Sequence, residues 1–94
     1  MAQFEVLVYN EELQYWLKDK GISRAWIDNL TRDKGSIFLM SADELASMAI
    51  ICYDEMSDES MELFMLSYGN CHRSQMVIHI ADEILASCCR VVLQ

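Results

Sequence analysis

From Phe4 to Asp19 the apolar residues satisfy two periods at once. Phe4, Leu7, Val8, Leu13, Trp16 and Leu17 suit one face of a helix, whereas Phe4, Val6 and Val8 alternate as in a strand. Gly21 closes this first element. Ser23 then offers an N-cap for a second helix that buries Trp26, Ile27 and Leu30 and ends at Gly35. Ser36 to Met40 is a short apolar run of strand length, and Ser41 with Glu44 three residues on forms a capping box that opens a short helix through Met48. Two β-like runs follow, Ala49 to Tyr53 and Met61 to Tyr68, separated by the polar stretch Asp54 to Ser60, which suits a hairpin. Gly69-Asn70 marks a turn, Gln75 to Ile80 reads as a further strand, and Ala86 to Leu93 as a last strand or a terminal helix. The fold class expected is α+β: N-terminal helical elements, then a mainly antiparallel sheet with a short helix between its first two strands.

Ninety-four residues make about one small domain, and no repeat, low-complexity tract or linker divides residues 1–94. A hydrophobic fraction of 53% supplies enough apolar surface to offset chain entropy, so the chain is expected to fold despite its charge. Cys52, Cys71, Cys88 and Cys89 have neither the density nor the spacing of a disulfide scaffold and are expected to serve as small core hydrophobes in a reducing cytoplasm. No basic segment with an apolar core and cleavage site opens the sequence. The longest apolar run, Met48 to Tyr53, is far short of the roughly 18 residues of a membrane span, so no membrane association is expected.

Charge changes the picture more than composition does. Between Gly35 and His72 lie seven carboxylates (Asp43, Glu44, Asp54, Glu55, Asp58, Glu59 and Glu62) and no Lys or Arg, while five of the seven basic residues fall between Lys18 and Lys34. With a formal charge of -8, such a stretch repels nucleic acid and attracts cationic surfaces. The plain alternative is a solvated, solubilising surface. A nucleic-acid ligand is excluded on the same ground, because the basic cluster is interspersed with acids and cannot neutralise a run of phosphates.

Catalytic and metal-binding patterns are poorly represented. Ser67 to Ser74 is similar to the anion loop of low-molecular-weight tyrosine phosphatases, but Ser67 stands where that chemistry needs a thiolate, and a plain Gly-Asn turn accounts for the segment better. His72, His79 and the cysteines lack the paired short spacings of a zinc site, and His79 within an apolar alternation reads as a packed sheet histidine. No metal, cofactor or enzymatic activity is expected.

The run Tyr53-Asp54-Glu55-Met56-Ser57-Asp58-Glu59, then apolar Met61 to Leu66 and Val77-Ile78, resembles the central hairpin and next strand of the phage-type uracil-DNA glycosylase inhibitors. Upstream, Ser36 to Met40 followed by Asp43-Glu44-Leu45 and Met48 is similar to that family's Glu-Ser-Ile strand and acidic helix, with Gly35 in place of the Glu. The connection before Tyr53 is shorter than the family's, and Glu62 falls at an apolar position. The resemblance implies a DNA mimic that occupies the enzyme's DNA groove. By position, Ser36 and Ile37 would form the mimic strand, Asp43 and Glu44 would supply charge, and Leu39, Leu45, Met48 and Val77 would line a pocket for a protruding apolar side chain. Asp54, Glu55, Asp58 and Glu59 would extend the acidic contact. The function expected is thus inhibition of a basic DNA-binding protein, a uracil-DNA glycosylase first, in a host cytoplasm. The alternatives are an acidic inhibitor of another nucleic-acid-binding machine, such as a CRISPR effector, and a nonmimetic interaction domain. Self-association is compatible with any of these.

Overall fold

A computed structural model describes residues 4–92. Strand β1 (Glu5–Tyr9) runs directly into helix α1 (Asn10–Asp19), so both periods of the first segment are real and apply to successive halves of it. Asn10 fixes the junction. Its backbone N–H donates to the Ser36 carbonyl at 2.9 Å and its side-chain Nδ2 to the Gly35 carbonyl at 2.9 Å, which ties the start of α1 to a loop twenty-five residues away. Helix α2 (Arg24–Leu30) begins under the Ser23 cap, whose Oγ accepts the Trp26 N–H, and it stops well before Gly35. Thr31 donates its hydroxyl to the Ile27 carbonyl, and Asp33 adopts a positive φ of 57°, so the chain has left helical geometry by then.

Strand β2 (Ile37–Ser41) leads into helix α3 (Ala42–Glu55) through the expected capping box, but α3 does not end at Met48. Leu45, Met48, Ala49 and Cys52 are all buried, at i, i+3, i+4 and i+7, so the helical period continues through the segment expected to be the first hairpin strand. The second expected hairpin strand is likewise helical. Helix α4 (Asp58–Tyr68) starts at the Ser57 cap and buries Ser60 and Phe64, one turn apart. The expected strand at Gln75 to Ile80 lies inside helix α5 (Arg73–Cys88), where Met76, Ile80, Ile84 and Cys88 recur every fourth residue on the buried face. The segment from Ala86 proves to be both alternatives: helix to Cys88, then strand β3 (Cys89–Val92), with Leu93 outside the described residues.

The sheet is antiparallel with order β2-β1-β3, so the first strand in sequence is central and the helices precede the sheet only in part. The α+β class stands. The expected hairpin is replaced by a pair of helices. Val6, Val8 and Met40 point inward from the sheet onto α1, α3 and α5, and with Leu13, Leu17, Ile27, Ile80 and Ile84 they form one contiguous core. Each fully buried Leu or Ile there contributes about 1.5–3 kcal/mol of burial free energy. Helix α4 is the least tied to it. It is held by Phe64, by the Ser57 N–H donating to the Lys20 carbonyl, and by a polar knot at Glu83, which accepts from Trp16 Nε1 at 3.1 Å, Tyr68 Oη at 3.2 Å and Lys20 Nζ at 3.1 Å. Among the described residues no helix is long and apolar enough to cross a membrane.

Candidate partner-binding surface

The β2–α3 junction builds one of several open surface grooves. Phe38 and Met40 on the inner side of β2 turn toward α3, whose Met48 and Ile51 come up one helical turn apart, and Leu30 at the end of α2 closes the far side. Between them lies an open groove of about 280 Å³ with an apolar floor. Its lip is ionic: Asp43 and Glu44 in the first turn of α3 on one side, Lys34 on the other, with its Nζ 5.2 Å from the Phe38 ring centre. Ser47 is exposed on the α3 side. The groove is sized for one or two side chains rather than a drug-sized molecule, which takes about 300–1,000 Å³ of enclosed space.

Local rules explain part of the charge. Asp43 and Glu44 occupy the first turn of α3, and Asp58 and Glu59 the first turn of α4, where carboxylates offset the positive helix end. Glu44 is further fixed by the capping box. Its Oε1 accepts the Ser41 backbone N–H at 2.9 Å while Ser41 Oγ accepts its own N–H at 3.1 Å, and the Ser41 backbone N–H first, with the Ser41 hydroxyl next, holds its carboxyl below the usual value. Asp54 and Glu55, at the C-terminal end of α3, and Glu62 within α4 have no such local reason. The first two oppose the helix dipole, and only Asp54 finds a cation, Arg73, at 3.4 Å. These acids add to the external field at a cost to their own helix.

The residues singled out in the sequence are brought together only in part. Asp43, Glu44 and Met48 meet at the groove. Ser36 precedes β2 and is exposed, with its carbonyl engaged by Asn10. Ile37 and Leu39, each 53% exposed, lie on the opposite, outer side of β2, so Leu39 cannot line a pocket with Met48. Leu45, at 3% exposure, belongs to the core, and Val77 sits half-buried on α5. The four residues expected to share one pocket therefore do not converge on one surface. Leu30, Lys34, Phe38, Met40, Ser47 and Ile51 line the groove although none of them is among the site residues expected from the sequence. A helical count from the Ser41 cap would have aligned Ser47 and Ile51 with Glu44 and Met48, but nothing local places Leu30 against α3.

The segment Ser67 to Ser74 follows a helix, not a strand. Ser67 and Tyr68 end α4, Gly69 caps it with φ of 81°, and α5 begins at Arg73. His79 lies on α5 rather than in a sheet and stacks on Tyr68 with ring centres 4.3 Å apart. Cys52 and Cys88 are buried as small hydrophobes, and burial pushes both thiols up to about 12, Cys52 also feeling Cys88 and Cys88 the neighbouring Cys89. Cys71 and Cys89 are half-buried. Comparisons with protein-family models, curated proteins and solved structures return no match to this chain.

Proposed function

We propose that this protein is an acidic binding module that seats itself on the cationic nucleic-acid groove of a DNA-processing enzyme and takes an apolar side chain of that enzyme into the α2–β2–α3 groove. The observation that carries the reading is the joining of an apolar floor with carboxylates at its lip, in a chain of net charge -8. Charge accelerates encounter and orients the pair, while an anchored side chain slows departure. A uracil-DNA glycosylase is the first target to try. In support of that choice, the strand-then-acidic-helix half of the resemblance, Ser36 to Met48, falls on a strand and a capped helix in the expected order. The hairpin half, Tyr53 to Ile78, falls on helices, which favours trying other nucleic-acid-binding enzymes in the same assay.

The test is uracil excision, and duplex-DNA binding by a panel of such enzymes, with and without the protein. Inhibition should fall steeply as salt is raised, because exposed charges are screened over about 10 Å at 0.1 M. Two variants leave the core untouched: Asp43→Lys should chiefly slow association, and Ser47→Arg, which fills the groove from its exposed side, should chiefly hasten dissociation. If the folded parent at large excess leaves excision unchanged while another enzyme of the panel is inhibited, the glycosylase is the wrong target. If it inhibits none, the reading is wrong.

A further inference from the structure

We propose that the outer face of the sheet is a self-association surface on which two copies of this chain pack sheet to sheet. On that face Leu7 stands opposite Leu39 and Tyr9 opposite Ile37, with Val92 flanking them on β3. Ile37 and Leu39 are each 53% exposed and Val92 36%, so the face is apolar and open to water among the described residues. An apolar patch of this size is about that of the largest patch on a typical monomer, which is often functional.

Charge selects the occupant. The outer face carries one acid, Glu5, and one base, Arg90, and within a single copy neither forms an ion pair among the described residues. Glu5 faces Val92 and Arg90 faces Leu7, so the two sit diagonally across the β1–β3 pair. A twofold axis lying between the packed sheets, midway between these residues, sets each Glu5 over the second copy's Arg90 and forms both pairs at once. That is the self-complementarity an isologous dimer requires. The exposed apolar residues of α4, Leu63 and Leu66, offer a contrast: Glu59 and Glu62 accompany them, so two copies would repel there.

The area sets the strength. Two strands about 17 Å long and one about 13 Å long, about 4.8 Å apart, give a footprint of roughly 230 Å², and the corrugation of exposed side chains brings the accessible surface to on the order of 500 Å² per copy. Roughly 1,000 Å² in all is at the lower limit for a specific interface, the size of a weak, reversible dimer. Because each copy carries -8 overall, raising the salt relieves repulsion and should strengthen the dimer, the reverse of its effect on a cationic partner.

Sedimentation equilibrium of the purified chain across a wide concentration range, at low and moderate salt, tests this. The weight-average mass should rise from 10.9 kDa toward twice that value, more readily at moderate salt. Leu39→Glu should hold the mass at the monomer value throughout while leaving the circular dichroism and melting temperature near the parent's, since Leu39 is 53% exposed on the outer face. Arg90→Glu alone should weaken association at least tenfold, and Glu5→Arg combined with Arg90→Glu should restore it. A parent that stays monomeric at all concentrations and both salts overturns the proposal. So does a folded Leu39→Glu variant that associates as the parent does, or a double charge swap that fails to recover.

Discussion

Removing the charge at Glu44 while keeping its shape tests the β2–α3 junction most directly. Glu44→Gln retains an oxygen to accept the Ser41 N–H, now 2.9 Å from a carboxylate, but gives up the charge-assisted share of that bond and the attraction to the α3 N-terminus. At neutral pH this should cost about 0.5–1 kcal/mol. Glu44→Ala, which loses the acceptor as well, should cost about 1–2 kcal/mol. For 94 residues at about 2.1 cal/mol/K each, the unfolding entropy is about 0.2 kcal/mol/K, so each kcal/mol moves the melting temperature by about 5 °C. The Gln variant should thus melt about 2–5 °C below the parent. The pH dependence fixes the cause. The folded-state value of Glu44 lies below its unperturbed 4.5, so its contribution is complete above that value and is lost as the pH falls through the lower folded value. Thermal melts of both proteins at constant ionic strength should show a constant gap from pH 8 to about pH 5, closing at more acid pH as the parent's carboxyl takes up its proton. A gap absent at pH 7, or one that persists undiminished in acid, would refute a charged capping box.

Three further outcomes are expected. Gly21→Ala should destabilise by at least about 1–3 kcal/mol in a denaturant titration, because φ is +76° there and an added Cβ would lie 2.5 Å from Ser57 Cβ; an unchanged midpoint contradicts this packing. In the folded protein at pH 8 a thiol reagent should label Cys71 first and reach Cys52 and Cys88 only on unfolding. Because both buried thiols rise from 9.0 to about 12, stability should also fall progressively as pH climbs through that interval, and a Cys52→Ala, Cys88→Ala variant should show less of this alkaline loss. Phe64→Ala should abolish amide-exchange protection across α4 while α3 and α5 stay protected, since Phe64 is the buried apolar side chain of that helix; uniform loss in all helices contradicts it.

The legible parts of the fold are those specified by local chemistry. The Ser23 and Ser41 caps and the Glu44 partner named two helix starts correctly, and the β2 segment was found within one residue. The α+β class followed from these. The hairpin failed because short apolar windows such as Ala49 to Tyr53 contain β-branched and aromatic residues without showing their period. Only when Leu45, Met48 and Cys52 are counted together does the helical repeat emerge. The same holds for Gln75 to Ile80, whose period becomes clear once Ile84 and Cys88 are added. At the groove, Asp43, Glu44 and Met48 were legible because they share one helix turn and the next, whereas Leu30, Lys34 and Phe38 arrive from elements whose approach is set by tertiary packing, starting with the Asn10 bonds to the loop before β2.

The pairing of β1 with β3 bears on how the molecule comes into being. Val8 and Cys89 are partners though eighty-one positions apart, so one edge of the central strand stays unsatisfied until Cys89 to Val92 have been synthesised. During translation α1 to α4 can form, but β1 meanwhile exposes a row of backbone donors and acceptors beside Val6 and Val8, a template for pairing with any neighbouring strand. A chain released before Cys89 would keep that edge open permanently. The four residues of β3 therefore close the open edge of the central strand, and chains terminated before Cys89 should aggregate or be degraded rather than accumulate.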